Sequence, residues 1–452
     1  MKVSQALPKN GSFSFFTFGG KDENKDVSTF LHFSIEIVMK AYKMWSMKKD
    51  YVALRSKSSL NKHDILTISG LANKDTKKGF KTINASVGAY YDEEKKFGRV
   101  PTIENAIKEK FSEKMAYAAV TGHENYKKGI LSYAFGERLK TIKEKNEIFF
   151  GATLGGTGAL SIAFNLFTDT DSHVILPDVM WSNYKLIAKK ANCSHRTYNL
   201  FDESDNWNLK SIKEEVDDEM AKKGRALLLI NDPCENPTGY SMSKKEYEDL
   251  FAYLNKKGEE GELIVLFDIA YYNFSDTECP LFEMLEGPIN FLPVVIFSCS
   301  KSFAVYGFRC GAFIALCPDK ESKEDIGNAF RAQVRGTVSS PVGPVLHSIG
   351  EVLNDKEAVK KVIDEIGVNK MALVERGNYL TSLLDEAGIK HYPYKSGFFL
   401  TLKVDNAVAT FDALALKHFY VVPIDEDKVR IALSGITKSE CLDLVNALKE
   451  VL

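Results

Sequence analysis

The chain has 452 residues, 44% hydrophobic and 27% charged, which gives length and apolar content for a large globular core. Lys and Arg total 59 against 61 Asp and Glu, a formal net charge of −2, so no basic excess points to nucleic acid and no acidic tail is present. Seven cysteines without a Cys-x-x-Cys pair read as reduced thiols of a cytoplasmic protein, eight histidines lack ligand spacing and predict no metal site, and no apolar run approaches the ~20 residues of a membrane span.

In chain order, the first apolar stretch is Ser28 to Trp45. Asp22, Glu23 and Asp26 precede it, which is wrong for the basic start of a signal peptide and for an organelle transit peptide. Further on, Gly155-Gly156-Thr157-Gly158 opens a helix carrying Leu160, Ala163, Phe164 and Phe167; glycines at such a start let backbone N–H groups approach a phosphate. The strand Val174 to Leu176 leads to Trp181, either a core tryptophan or part of a site at the sheet edge. The apolar run Ala226 to Ile230 ends in Asn231-Asp232-Pro233-Cys234-Glu235-Asn236-Pro237-Thr238-Gly239, which is turn chemistry. Leu263 to Phe267 ends in Asp268-Ile269-Ala270-Tyr271. An acid there is a helix N-cap, or a ligand group at the carboxyl end of a parallel strand, where open α/β sheets bind.

The run Val294 to Phe297 then feeds Ser298-Cys299-Ser300-Lys301, with Arg309 eight residues after the lysine. That segment reads as a Schiff-base lysine beside a phosphate anchor or, taken alone, as a solvated surface lysine. With Ala312 to Leu316, these short and nearly continuous runs predict a mostly parallel sheet buried on both faces. A helix beginning near Asp325 carries Arg335. From about Gly350 the texture changes to a long helical segment reaching Ala387, then to strands at residues 396–402 and 429–433. The last helix opens with the capping box Thr437-x-x-Glu440 and places Cys441, Leu444, Val445, Leu448 and Leu452 on one face.

Taken in order, Gly-Gly-Thr-Gly, the tryptophan, Asn-Pro-Thr-Gly, Asp-x-x-Tyr and Ser-x-Ser-Lys with its following arginine resemble the fold-type I pyridoxal-phosphate aminotransferases, class I, in the aspartate/aromatic amino-acid branch. The resemblance runs from about Ile83 to Leu452. It implies an α/β fold, with a large domain built on a mostly parallel seven-stranded sheet flanked by helices and a small α+β domain drawn from both chain ends. The expected division is an N-terminal extension at 1–46, an arm and the start of the small domain at 47–97, the cofactor domain at 98–345 and the small domain at 346–452. For 1–46 two readings stand: a stretch upstream of a true start at Met47, which is preferred, or an arm clasping a second copy. Residues 57–71 would be the family's segment crossing to the partner subunit.

The same resemblance implies pyridoxal 5'-phosphate as cofactor and a homodimer sharing its active sites across the interface. The implied reaction is ping-pong transfer of the amino group of aspartate or glutamate, with aromatic amino acids as the alternative, to a 2-oxo acid such as 2-oxoglutarate. Lys301 would bond the cofactor and move a proton, and Asp268 would pair with the pyridine nitrogen. Tyr271 and Asn236 would hold the phenolic oxygen, and Trp181 would stack on the ring. Gly156, Thr157, Ser298, Ser300 and Arg309 would hold the phosphate. Tyr117 would be lent to the neighbouring subunit's phosphate or be a buried core tyrosine. Arg430 would grip the substrate α-carboxylate beside Gly88 at the entrance. Arg335, four residues before Ser339, would reach across the dimer to a distal carboxylate or be a surface arginine. Tyr184 stands where the family usually has histidine, and Glu235 and Ser340 also depart from the usual residues, which leaves the chemistry intact and the substrate open. Two other classes are weighed. Arg335 argues against a fold-type I lyase, and the lack of a basic bias or helix-turn-helix in residues 1–80 argues against a ligand-binding regulator.

Overall fold

The short apolar runs pair into one sheet. Its strands are β1 (Glu147–Leu154), β2 (His173–Pro177), β3 (Ser194–Tyr198), β4 (Arg225–Asn231), β5 (Glu262–Asp268), β6 (Leu292–Ser298) and β7 (Cys310–Cys317), in the order β1-β7-β6-β5-β4-β2-β3. They are seen in a computed structural model of the protein, which describes Tyr51 and residues 63–452. The apolar stretch at 28–45, the reading of Met47 as a start and the arm before residue 63 lie outside the described residues. β7 runs antiparallel to both β1 and β6, and the other pairings are parallel. Alternate side chains face opposite layers: Val294 and Ile296 pack with one apolar cluster, Val295 and Phe297 with the other, all fully buried. Burial on both faces is why these strands read as continuous apolar runs instead of alternating ones.

Helices complete the layers. α1 (Ile65–Lys77) starts at an Asp64 cap, and α2 (Gly155–Phe167) follows β1 directly and buries Leu160, Ala163, Phe164 and Phe167, as its periodicity predicts. α3 (Asn183–Lys190) follows Trp181. α4 (Lys320–Thr337) starts earlier than the expected Asp325, because the Asp319 side chain accepts the backbone N–H of Ser322 at 2.7 Å and caps the helix there. The single long segment expected from Gly350 is in fact two helices, α5 (Gly343–Leu353) and α6 (Lys356–Glu386). Asp355 divides them by accepting from the N–H groups of Glu357 and Ala358.

A second sheet is antiparallel, in the order β9 (Val422–Ile424), β10 (Lys428–Ala432), β8 (Phe399–Lys403). β8 starts later than the expected residue 396, since the N–H groups of Lys395 and Ser396 are drawn to the carbonyl of Gly239 and cannot join the ladder. Ile83–Asn84 pairs in parallel with Phe419–Tyr420, and Ala432 donates to the carbonyl of Ala85, so the segment entering the fold is joined to the chain's last strands. α7 (Lys438–Val451) carries both hydrogen bonds of the predicted capping box and buries Cys441, Leu444, Val445 and Leu448, while Leu452, expected on that face, is exposed. All seven cysteines are buried free thiols, and no helix among the described residues is long and apolar enough to cross a membrane.

Candidate active site

The site is built where β4, β5 and β6 end level with one another. Asn231 pairs across from Asp268, and Asp268 from Ile296. Asn231 also fixes the loop that follows it: its side-chain N–H donates to the carbonyl of Asp268 at 2.8 Å and its oxygen accepts the N–H of Asn236 at 2.9 Å. One strand end thereby positions the next loop, and the turn residues of Asn236-Pro237-Thr238-Gly239 stay close to the acid of β5.

Asp268 is buried with both oxygens engaged. The Tyr184 hydroxyl donates to Oδ2 at 2.7 Å and the N–H of Ala270 to Oδ1 at 3.2 Å. Burial pushes its carboxyl up to about 6 against the pull of those two donors and of Lys301. Lys301 lies in the short helix Cys299–Ser302, capped by Ser298. Its Nζ stands 5.5 Å from the ring centroid of Tyr271 and 5.4 Å from that of Tyr306. Burial pulls its ammonium down to about 8, with Arg309 and Arg430 acting the same way and Asp268 opposing. Tyr271 is buried beside Asn236, whose side-chain N–H reaches its hydroxyl at 3.4 Å. Trp181 is half-buried and meets Tyr184 edge to face, ring centroids 5.4 Å apart.

An anion cup forms where α2 begins. Gly155 turns β1 into α2 at a φ of +70°, and a Cβ on it would meet the Arg309 guanidinium at 2.8 Å, so any side chain there would be strained and would push that guanidinium aside. Arg309, itself left-handed at φ 53°, donates to the Ser300 hydroxyl at 3.1 Å and to the carbonyl of Tyr306 at 2.9 Å. Gly156, Thr157, Ser298, Ser300 and Arg309 all line one cavity of about 370 Å³, together with Gly88, Trp181, Tyr184, Asn236, Asp268, Tyr271, Lys301 and Arg430. That volume is in the range of small-molecule sites.

Arg430 comes to this cavity from β10 and is 2% exposed. It donates to Asn236 Oδ1 at 3.3 Å and to the carbonyl of Ser86 at 2.6 Å, its guanidinium lies 4.5 Å from the Phe399 ring, and its Nε has no hydrogen-bond partner among the described residues. Burial lowers its pKa to about 10, with Tyr271 and Glu235 opposing. Gly88 is pressed on the same ring: a Cβ there would stand 2.5 Å from Phe399 Cζ.

Two expected residues are not brought into this cavity. Tyr117 is 93% exposed, so it is no core tyrosine. Arg335 is exposed on the last turn of α4 and donates to the Ser339 hydroxyl at 2.8 Å, the contact its four-residue spacing allows. Other residues were not singled out by sequence. Asn231 sits inside the Asn231–Gly239 turn and Tyr306 between Lys301 and Arg309, but nothing in spacing marks their contacts, and the Ser86 carbonyl and Phe399 ring are set by packing between distant segments.

A family model for aminotransferase class I and II matches residues 81–448, and the chain belongs to that family, whose members use pyridoxal 5'-phosphate. It is thus a pyridoxal-phosphate-dependent aminotransferase. Among named relatives it is 30% identical over 290 residues to the aromatic-amino-acid aminotransferase of Paracoccus denitrificans, covering 61% of this chain and 69% of that one. It is 25% identical over 332 residues to the aspartate aminotransferase of Pseudomonas aeruginosa, covering 69% and 79%. Among solved structures, an aminotransferase from Anaerococcus prevotii superposes with a TM-score of 0.82 at 26% identity, over 89% of this chain and 99% of the other. The cavity fits the cofactor on its own terms. It has a helix N-terminus with three hydroxyls and a guanidinium for a phosphate, a buried acid for a ring nitrogen and a lysine of lowered basicity.

Proposed function

We propose that this aminotransferase moves the amino group of aspartate or glutamate to a 2-oxo acid such as 2-oxoglutarate, in two half-reactions, as a cytoplasmic homodimer. One observation carries the reading: a weakly basic lysine, a buried carboxyl and a buried arginine with an unpaired N–H converge on one cavity. Bound pyridoxal phosphate supplies the electron sink that lets an amino group leave one carbon skeleton and join another.

The chain's own groups then divide the work. Arg430 receives the α-carboxylate; two of its donors are already committed, to Asn236 and Ser86, so the fork is fixed before substrate arrives. Lys301, with its ammonium pulled down to about 8, is neutral in a useful fraction near pH 7 and takes and returns the proton at substrate Cα. Asp268 pairs with the ring nitrogen, Tyr271 and Asn236 hold the phenolic oxygen, and Trp181 covers the ring. Gly156, Thr157, Ser298, Ser300 and Arg309 hold the phosphate, and Gly88 keeps the entrance beside Arg430 open. The exposed positions of Tyr117 and Arg335 support their being lent to a second copy, Tyr117 to its phosphate and Arg335 to a distal carboxylate. The buried free thiols support the cytoplasmic reading.

A second reading, aromatic amino acids as substrates, draws on the apolar lining of the cavity by Ile65, Leu66, Val87, Ala89 and Phe399. The test is a half-reaction spectrum of the loaded protein with aspartate, phenylalanine or alanine and no 2-oxo acid. Loss of the cofactor's lysine-bound band with aspartate, restored by 2-oxoglutarate, is expected. A response to phenylalanine alone moves the protein to the aromatic reading, and no response to any of them overturns both.

A further inference from the structure

Tyr306 belongs to two cavities at once. It lines the active-site cavity, and it also lines an apolar groove with Phe97, Val100, Ile107, Phe303 and Phe308. Three of its groups are engaged. The ring stands beside Lys301 Nζ, 5.4 Å from centroid to nitrogen, and the carbonyl accepts from Arg309 at 2.9 Å. The hydroxyl accepts the backbone N–H of Tyr90 at 3.2 Å.

Tyr90 lies in the strip 86–93, which carries Gly88 and the Ser86 carbonyl that holds Arg430. Within the strip and its flanks, Gly98 donates to the Tyr90 carbonyl and Asp92 to that of Lys96, while the strip's other long-range hydrogen bonds run to the C-terminal strands and helices. The Tyr91 N–H donates to the carbonyl of Ser434 at 2.8 Å, and the fully buried Arg376 donates to the Tyr91 carbonyl at 3.2 Å and to Glu93 at 2.6 Å. Glu93 in turn accepts the N–H of Lys438 at 2.7 Å. The Tyr90 ring lies 5.6 Å from the Arg376 guanidinium and fills the space a Cβ at Gly98 would need. The Tyr306 hydroxyl thus ties the strip to the loop that carries the lysine.

We infer that Tyr306 is a two-ended positioning residue: its ring holds the Lys301 ammonium in place, and its hydroxyl holds the substrate-binding strip over the cavity. The ends are separable. The hydroxyl acts on substrate binding through Tyr90 and the strip. The ring acts on the lysine, because the π face attracts a cation. The other groups facing Lys301 are Asp268, Arg309, Arg430 and the Tyr271 ring, and the Arg309 contact is to the Tyr306 backbone carbonyl, which a substitution of the side chain keeps.

The inference rests on Lys301 as the cofactor-bearing lysine, so the test starts with the native protein loaded with pyridoxal phosphate. The Tyr306→Phe protein keeps the ring and loses the acceptor. Its KM for the amino acid is expected to rise about fivefold, the factor a single neutral hydrogen bond commands, with a smaller effect on kcat. The Tyr306→Leu protein loses the ring, and the pKa of its lysine-bound cofactor band is expected to fall relative to native while that of Tyr306→Phe stays put. If native protein shows no such band, the Lys301 reading itself fails. If the native band is present and both variants match native in KM and in band pKa, Tyr306 is only part of the wall and this inference is overturned. Should Tyr306→Leu fail to fold, the KM-against-kcat split of Tyr306→Phe decides alone.

Discussion

Arg430 and Arg335 are both arginines proposed to grip a carboxylate, and the fold treats them in opposite ways. Arg430 is 2% exposed on a central strand, with its fork set by Asn236 and Ser86 and its face on Phe399. Arg335 lies on the exposed last turn of a helix and touches a serine hydroxyl. The buried arginine is preorganised by its own chain, so in its proposed role it would serve every amino acid alike. The exposed one costs the chain little to change and in its proposed role would act only where a second copy meets it, which would make it the place where substrate preference is set.

The comparison breaks most visibly at Arg430. Arg430→Ala should lower kcat/KM by about a hundredfold or more for every amino donor, because a desolvated, prealigned charge pair is lost. An effect confined to aspartate would remove the general role. Arg335→Ala should cost aspartate about tenfold and phenylalanine less than about threefold, as steady-state kinetics on the two substrates would read. Equal losses on both would make Arg335 a structural residue.

The buried half can be sharpened further. Tyr184→Phe removes the 2.7 Å hydrogen bond to Asp268. The carboxyl, already pushed up to about 6 by burial, should rise further, so the acid limb of the pH–rate profile moves to higher pH. Arg335→Ala should leave that limb in place.

The smallest effect is expected at Glu235, a buried carboxyl pushed up to about 8 by burial, with Thr238 donating to it. Its folded pKa lies above the unfolded value of ~4.3, so the folded protein holds the proton more tightly and stability falls as pH rises through that window. Glu235→Gln should flatten this decline, read as Tm of the cofactor-free protein at about pH 5.5 and about pH 8. A slope equal to that of native protein would contradict the assignment.

Much of the site was legible because its groups sit at strand ends. Asp268, Lys301 and the Asn236 loop each follow a continuous apolar run, and a parallel sheet brings such ends to one edge. Gly155 and Gly156 were legible for a related reason, since glycines open a helix directly after β1. What escaped depends on contacts between distant segments. The Tyr306 hydroxyl meets an N–H 216 positions away, and the Arg430 fork is set by a carbonyl 344 positions away. Neither leaves a local pattern. Helix boundaries failed for a local reason: Asp319 and Asp355 compete with the periodicity by capping, which moved one start and divided one long helix. Tyr184 was visible as a departure from the family, but only the packed structure puts its hydroxyl on Asp268.

The most direct test of the account is to reduce the loaded protein with borohydride and map the modified peptide by mass spectrometry. The cofactor mass should be found on Lys301 alone, and Lys301→Ala should carry none. Cofactor on another lysine, or turnover that survives Lys301→Ala, would contradict the account.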